Sequence, residues 1–140
     1  MEIIERYGIC NWYPEHGSHL VSPDHFLEFI NLKPAGKIFK CISIDDKWCS
    51  VIYGEKTFKI DPVIYHIVPD LKFYIGQSVW VKTKNSVGTI IDVFWHFKNE
   101  MPVYFINFEG KRSSRRYSES ELSHPHNNFE CSAAPQRLPL

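Results

Sequence analysis

The sequence predicts a mostly β protein made of two small meander modules and one short helix. From Lys37 onward, apolar and polar residues alternate in short runs, which is the period-two pattern of half-buried strands. Turn dipeptides such as Gly54-Glu55 and Gly110-Lys111 separate these runs. The chain has 140 residues, of which 44% are hydrophobic and 15% aromatic, so it contains enough apolar side chains for a packed core.

The first predicted module covers residues 1–72. It opens with a strand at residues 3–10, which leads into an irregular loop that contains proline and glycine. Three short strands follow between residues 37 and 60, and they are separated by tight turns. Residues 63–68 are compatible with either a strand or a helical turn, and their pattern leaves both alternatives open.

The short helix is predicted at about residues 22–31. Ser22 is a suitable N-cap residue, and Pro23 suits the first helical position because its missing N–H is not needed there. Apolar residues recur with helical spacing from Phe26 to Ile30. We therefore expect this helix to pack one apolar face on the sheet of the first module.

The second predicted module covers residues 73–123 and repeats this plan. Five of its apolar residues alternate along two strands: Val79, Val81, Tyr104, Ile106 and Phe108. Because successive side chains of a strand point to opposite faces, we expect these five to share one interior. Residues 124–140 contain little to bury and are predicted to form a loosely ordered tail.

The motifs of the second module occur in a definite order: GQSVWV at 76–81, GTII at 88–91, YFINF at 104–108 and YSESEL at 117–122. This order resembles that of Tudor, KOW and related SH3-like barrels. The resemblance implies a small SH3-like β-barrel here, and the repeated plan extends it to two such barrel or meander modules packed together. The whole chain also resembles a family of short uncharacterised bacterial proteins, a resemblance that implies no activity.

The charge balance excludes a strong general attraction to polyanions. Lys and Arg number 16, Asp and Glu also number 16, and the formal net charge is zero. Positive residues do cluster in one hairpin, at Lys111, Arg112, Arg115 and Arg116. Closely placed guanidinium groups bind phosphates, so this hairpin is an alternative site for RNA or DNA. The simpler interpretation is a solvated hairpin tip that protects an edge strand.

We expect the main function to be non-enzymatic recognition of a protein or peptide by an adaptor with an exposed aromatic face. The candidate residues of this face are Trp80, Trp95 and Phe105. Trp12 and Tyr13, in the irregular N-terminal loop, form a second candidate surface. The simpler interpretation is that the aromatic residues join the two modules or join two copies in a homodimer.

We predict no catalytic residues, no metal and no cofactor, because the sequence lacks a nucleophile elbow, a Gly-rich phosphate loop and paired carboxylates. Cys10, His16, His19 and His25 lie in or near the N-terminal loop, but they lack the paired spacing of a zinc site. A small enzyme or metal protein that uses this loop is therefore only our third hypothesis. The four cysteines show no C-x-x-C spacing and are expected to be reduced. Without a signal peptide or a long apolar run, we expect a cytoplasmic protein.

Overall fold

The computed structural model describes residues 2–125, so residues 126–140, which form most of the predicted tail, lie outside the described chain. The protein is mostly β, with two antiparallel sheets and one short α-helix, which confirms the predicted fold class. None of the helices in the described chain is long and apolar enough to span a membrane. The helix α1 is Phe26–Leu32, and the strands are β1 Glu2–Cys10, β2 Ile38–Ile44, β3 Cys49–Tyr53, β4 Lys56–Ile60, β5 Tyr65–Ile67, β6 Ser78–Val81, β7 Ser86–His96, β8 Met101–Phe108, β9 Lys111–Arg112, β10 Tyr117–Ser118 and β11 Leu122–Ser123.

Both sheets follow one topological plan. The first sheet has the strand order β4-β3-β2-β1-β5, and the second has the order β10-β8-β7-β6-β11, with β9 paired to β8. In each sheet a 3₁₀ turn precedes the last strand, at Pro62–Ile64 and at Glu119–Glu121. This last strand then pairs antiparallel with the first strand of its own sheet. The segment at residues 63–68, left open by the sequence, therefore contains both a helical turn and a strand.

The chain divides into two compact units. The first unit contains the chain up to Leu71 together with Phe94–Glu100, and the second contains Lys72–Val93 and the described chain from Met101 onward. Within the first unit, the Trp95 N–H donates a hydrogen bond to the Gly36 carbonyl at 2.8 Å. The end of the long strand β7 is thus part of the first unit, where it is hydrogen-bonded to a residue almost sixty positions earlier in the chain. The domain boundaries expected from the sequence remain a prediction.

The core of the first unit is an aromatic cluster between α1 and the sheet. The ring of Phe29 lies 5.4 Å from Trp12, 5.9 Å from Phe39 and 5.1 Å from Phe58, measured between centroids. All four side chains are buried. The apolar face of the helix therefore packs on the sheet, as its spacing predicts.

The helix begins later than the sequence indicates. A 3₁₀ turn occupies Pro23–His25, α1 starts at Phe26, and Ser22 provides no side-chain cap. Ser22 is buried, and its backbone N–H donates to the Lys59 carbonyl at 2.8 Å. This bond ties Ser22 to the edge strand β4, so its role is to attach the chain to the sheet.

The core of the second unit confirms most of the predicted alternation. Val79, Val81, Tyr104 and Ile106 are all buried. Phe108 is half-buried because it lies at the end of β8, next to the Glu109-Gly110 turn. Its partly exposed ring contributes to a surface groove described below.

Candidate functional site

The predicted aromatic face is distributed over both units. Trp80 and Phe105 are half-buried residues of the second unit, and Trp95 is a half-buried residue of the first. The guanidinium carbon of Arg112 lies 4.2 Å from the centroid of the Phe105 ring. Phe105 therefore already has a cation on its ring, which reduces the surface that it can offer to a ligand.

Trp12 is a core residue of the first unit. Its side chain has 0% exposure, and its indole N–H donates to the Gly17 carbonyl at 3.0 Å. The ring packs against Phe26 and Phe29 of α1. Trp12 therefore anchors the N-terminal loop to the core, and it also lies among the residues that line a depression next to Tyr13. Its place in a binding surface stays a prediction.

Tyr13, the next residue, is 50% exposed and lines two adjoining depressions of the first unit. The larger has a volume of about 430 Å³, and the smaller about 260 Å³. Tyr13 and Ala35 line both. We call the two depressions together the Tyr13 groove, and its main apolar residues are Tyr13, Pro14, Ile30, Pro34, Ala35 and Phe97.

A tight turn holds Tyr13 in position. The Tyr13 backbone N–H donates to Nδ1 of His16 at 3.0 Å, and the His16 N–H donates back to the Tyr13 carbonyl at 2.8 Å. The two rings also meet edge to face, with 5.7 Å between their centroids. Because Trp12 anchors one side of this turn, the Tyr13 ring stands on a rigid support.

The predicted basic hairpin lines a different groove, in the second unit, with a volume of about 520 Å³. We call it the basic groove. Its cations are Lys84, Lys111, Arg112 and Arg115, and Glu109 is its carboxylate. Arg116, the fourth residue of the predicted cluster, is exposed and is not part of the groove lining.

Two of these cations form ion pairs. Arg112 pairs with Asp92, and Arg115 pairs with Glu121 at 2.8 Å. The hydrogen bond from Arg115 to Glu121, followed by the influence of the neighbouring Tyr117, raises the pKa of Arg115. The carboxylates fix the direction of both guanidinium groups without burying them.

The N-terminal histidines and cysteines form no cluster suited to a metal ion in the described chain. Among residues 2–125, no group of three or more His, Cys, Asp and Glu side chains is arranged to hold a metal ion. Cys10, Cys41 and Cys49 are free and buried. Burial, and then the proximity of the other two thiols, raises the pKa of Cys10. The protonated thiol is the less nucleophilic form of cysteine, so the third hypothesis gains no support from Cys10.

Sequence reasoning missed several residues of both grooves. Pro34 and Ala35 follow α1 and line the Tyr13 groove, although neither is among the predicted site residues. Phe97 directly follows β7 and is 63% exposed in the first unit, where it lines the same groove. Lys84 follows β6 in a turn and is far in sequence from the basic hairpin, which begins at Lys111. For Phe97 and Lys84, no local signal indicates a site, because the residues that surround them are distant in sequence.

One comparison with known proteins gave a match. The model of a family of unknown function, DUF6960, matches residues 1–123, a span that contains both grooves. No curated protein and no solved structure matches the chain significantly.

Proposed function

The chain belongs to the DUF6960 family, and since this membership brings no activity with it, we propose that the protein is a non-enzymatic adaptor that binds a protein or peptide segment. Tyr13 carries the proposal. Its half-exposed ring stands on a rigid turn and is shared by two apolar depressions. A large exposed aromatic ring at the centre of an apolar groove is the typical anchor of a peptide interface.

The shape and chemistry of the Tyr13 groove favour an extended segment with apolar side chains. Depressions of about 430 and 260 Å³ each accommodate one or two side chains, and they adjoin at Tyr13 and Ala35. Lys33 is an exposed residue that lines the larger depression. It directly follows α1 and has a left-handed backbone conformation. A carboxylate of the ligand next to its apolar anchors would pair with this lysine.

Rigidity of the groove adds to the affinity that such a surface can reach. Binding normally costs about 0.5–1.5 kcal/mol for each flexible side chain that becomes ordered at an interface. Tyr13 is held by hydrogen bonds to His16 on one side and by buried Trp12 on the other. These bonds fix the Tyr13 backbone, and the edge-to-face contact with the His16 ring limits the motion of its side chain, so part of this ordering cost is already met in the folded protein.

We also propose that both sheets are SH3-like barrels. The support is their shared plan, in which a 3₁₀ turn leads into a last strand that pairs with the first. The two sheets differ in the connection after their first strand, which spans residues 11–37 in the first unit and 82–85 in the second. The longer connection supplies Tyr13, Pro14, Ile30, Pro34 and Ala35 to the groove. The free buried thiols in turn support a cytoplasmic location, where thiols stay reduced.

The proposal is tested by selecting ligands from a displayed library of random peptides, followed by calorimetry with the best peptides. Tyr13→Ala should weaken binding by about tenfold or more, the effect of losing an aromatic hot spot. Val63→Ala is the matched control, because Val63 is a 68% exposed apolar residue that does not line the groove. It should change the affinity by less than about twofold.

A third variant, Trp80→Ala, separates the two aromatic surfaces. If Trp80→Ala weakens peptide binding and Tyr13→Ala does not, the aromatic face of the second unit is the site and the assignment to the Tyr13 groove is wrong. Failure to enrich any peptide, or equal affinities of Tyr13→Ala and Val63→Ala, removes the proposal altogether.

A further inference from the structure

We propose that the basic groove binds a nucleotide, meaning a phosphate ester joined to a planar base, either free or as one unit of a single strand. This inference does not rest on the proposed peptide function. The Tyr13 groove is built from residues of the first unit, whereas the basic groove is built from residues of the second.

Two lysines provide uncommitted positive charge. Within the described chain, Lys84 and Lys111 form no ion pair, whereas Arg112 and Arg115 are each paired with a carboxylate. Both lysines are exposed. The whole chain has zero net charge, so the concentration of cations here does not reflect a generally basic protein. An anion that enters this groove meets two ammonium groups that are not paired with any carboxylate of residues 2–125.

The arginines add directed hydrogen-bond donors. A guanidinium group has five N–H donors, and a single ion pair leaves several of them unused. The side chains of Arg112 and Arg115 remain 47% and 53% exposed while they are paired. Asp92 and Glu121 thus orient these donors in advance, which lowers the entropy cost of binding a phosphate.

The apolar floor of the groove distinguishes a nucleotide from a bare anion. Val87 is 40% exposed, the ring of Phe108 is half-buried, and Tyr117 also lines the groove. The Lys84 ammonium nitrogen lies 5.7 Å from the centroid of the Phe108 ring, which is farther than the 4.2 Å between Arg112 and the Phe105 ring. Lys84 therefore covers Phe108 less closely than Arg112 covers Phe105, and positive charge and aromatic surface are adjacent. Adjacent cationic and aromatic groups are the arrangement in which a phosphate is paired while its base stacks.

Buried and hydroxyl-bearing side chains support the groove from below. Tyr117 is buried, and the guanidinium carbon of Arg115 lies 4.2 Å from the centroid of its ring. Tyr117 therefore helps to hold Arg115 in place and is not itself a stacking surface for a base. Ser113 is fully used, since its hydroxyl accepts from the Ile106 N–H and donates to the Arg115 carbonyl.

The test measures binding of four probes at low salt: a labelled single-stranded decanucleotide, AMP, inorganic phosphate and a polyglutamate peptide. We expect the double variant Lys84→Gln, Lys111→Gln to weaken decanucleotide binding about tenfold. In a plot of log affinity against log salt concentration, the slope should correspond to roughly two fewer released counterions. The matched control is Lys56→Gln, Lys98→Gln, which removes the same charge from exposed positions in the first unit. It should change the affinity by less than about twofold.

Phe108→Leu tests the role of the aromatic floor. It should weaken binding of the nucleotide probes severalfold and leave binding of inorganic phosphate unchanged, because only a base stacks on the ring. A thermal unfolding curve for each variant confirms that the fold persists. Unchanged nucleotide affinity in Phe108→Leu contradicts the assignment of a base to this floor.

The probes also identify the source of the nucleotide. Binding of the decanucleotide without AMP supports a unit of a single strand, and binding of AMP supports a free nucleotide. The inference is overturned if neither binds, if the control double variant loses as much affinity as the groove variant, or if polyglutamate binds as tightly as the nucleotides. Tyr13→Ala should not alter any of these results, so this test and the peptide test fail independently.

Discussion

Replacement of Trp12 by alanine tests whether this residue is the anchor of the first unit. The side chain is fully buried against Phe26 and Phe29, and loss of a buried aromatic side chain costs about 3–5 kcal/mol. The substitution also leaves the Gly17 carbonyl without its indole partner, which adds about 1 kcal/mol. Because domains are stable by only about 5–15 kcal/mol, Trp12→Ala should remove roughly a quarter or more of the unfolding free energy.

Urea denaturation followed by far-ultraviolet circular dichroism measures this change by linear extrapolation. Trp12→Phe is the graded variant. It keeps an aromatic ring but loses the N–H donor and some volume, so it should cost roughly 1–3 kcal/mol. Tyr13→Ala is the adjacent control, and its half-exposed side chain should contribute less than about 1 kcal/mol.

The reasoning fails if Trp12→Ala loses less than about 1 kcal/mol, or if it loses no more than Tyr13→Ala. Either result would mean that Trp12 is accessible and that the N-terminal loop has another anchor. The role of Tyr13 as a preorganised binding residue would then lose its physical basis.

Three further predictions concern packing, pH and thiol chemistry. Gly88→Ala should lower the unfolding free energy by roughly 1–3 kcal/mol, because a Cβ there would overlap the Ile106 side chain and lie 3.0 Å from the Asn107 carbonyl oxygen. Ile106→Leu, which removes the overlapping methyl branch, should recover part of that loss in thermal melts, whereas an unchanged melting temperature in Gly88→Ala alone would show that the strands have room. The Asp45 carboxylate accepts hydrogen bonds from the backbone N–H groups of Trp48 and Lys47, which lower its pKa below the ordinary 3.8, so its contribution to stability is present above that value and is lost as pH falls through the lower folded pKa. An NMR titration of the Asp45 carboxyl should therefore have its midpoint below 3.8, and a midpoint at or above this value contradicts the turn geometry. Cys10, Cys41 and Cys49 are buried, and burial is the first cause that raises the pKa of both Cys10 and Cys49, so iodoacetamide should label the three thiols quickly only after unfolding. Mass spectrometry of digested protein measures this, and rapid labelling of any of the three in the native state would be inconsistent with the core.

Local patterns predicted the elements of the second unit well. The alternation that includes Val79, Val81, Tyr104 and Ile106 corresponds to four buried side chains. Alternation is reliable there because β6 keeps a regular register with β7 and β11, and β8 keeps one with β10.

The alternation is less informative in β2. The register between β2 and β3 shifts between Cys41 and Ser43, and the buried series Phe39 and Cys41 does not continue to Ser43, which is half-buried. A bulge adds one residue to a strand, so residues on either side of it no longer follow a single parity. No residue type in this stretch identifies the bulge in advance.

The sequence by itself determined the fold class, the turns, the existence of a short helix and the basic character of the hairpin, because each depends on residues a few positions apart. The tertiary structure decided which aromatic side chain is buried and which is exposed at Trp12-Tyr13, and it brought Pro34, Ala35 and Phe97 to one groove. It also placed Lys84 beside the hairpin. These placements depend on contacts between residues that are far apart along the chain, and a pattern of period two or 3.6 contains no information about such contacts.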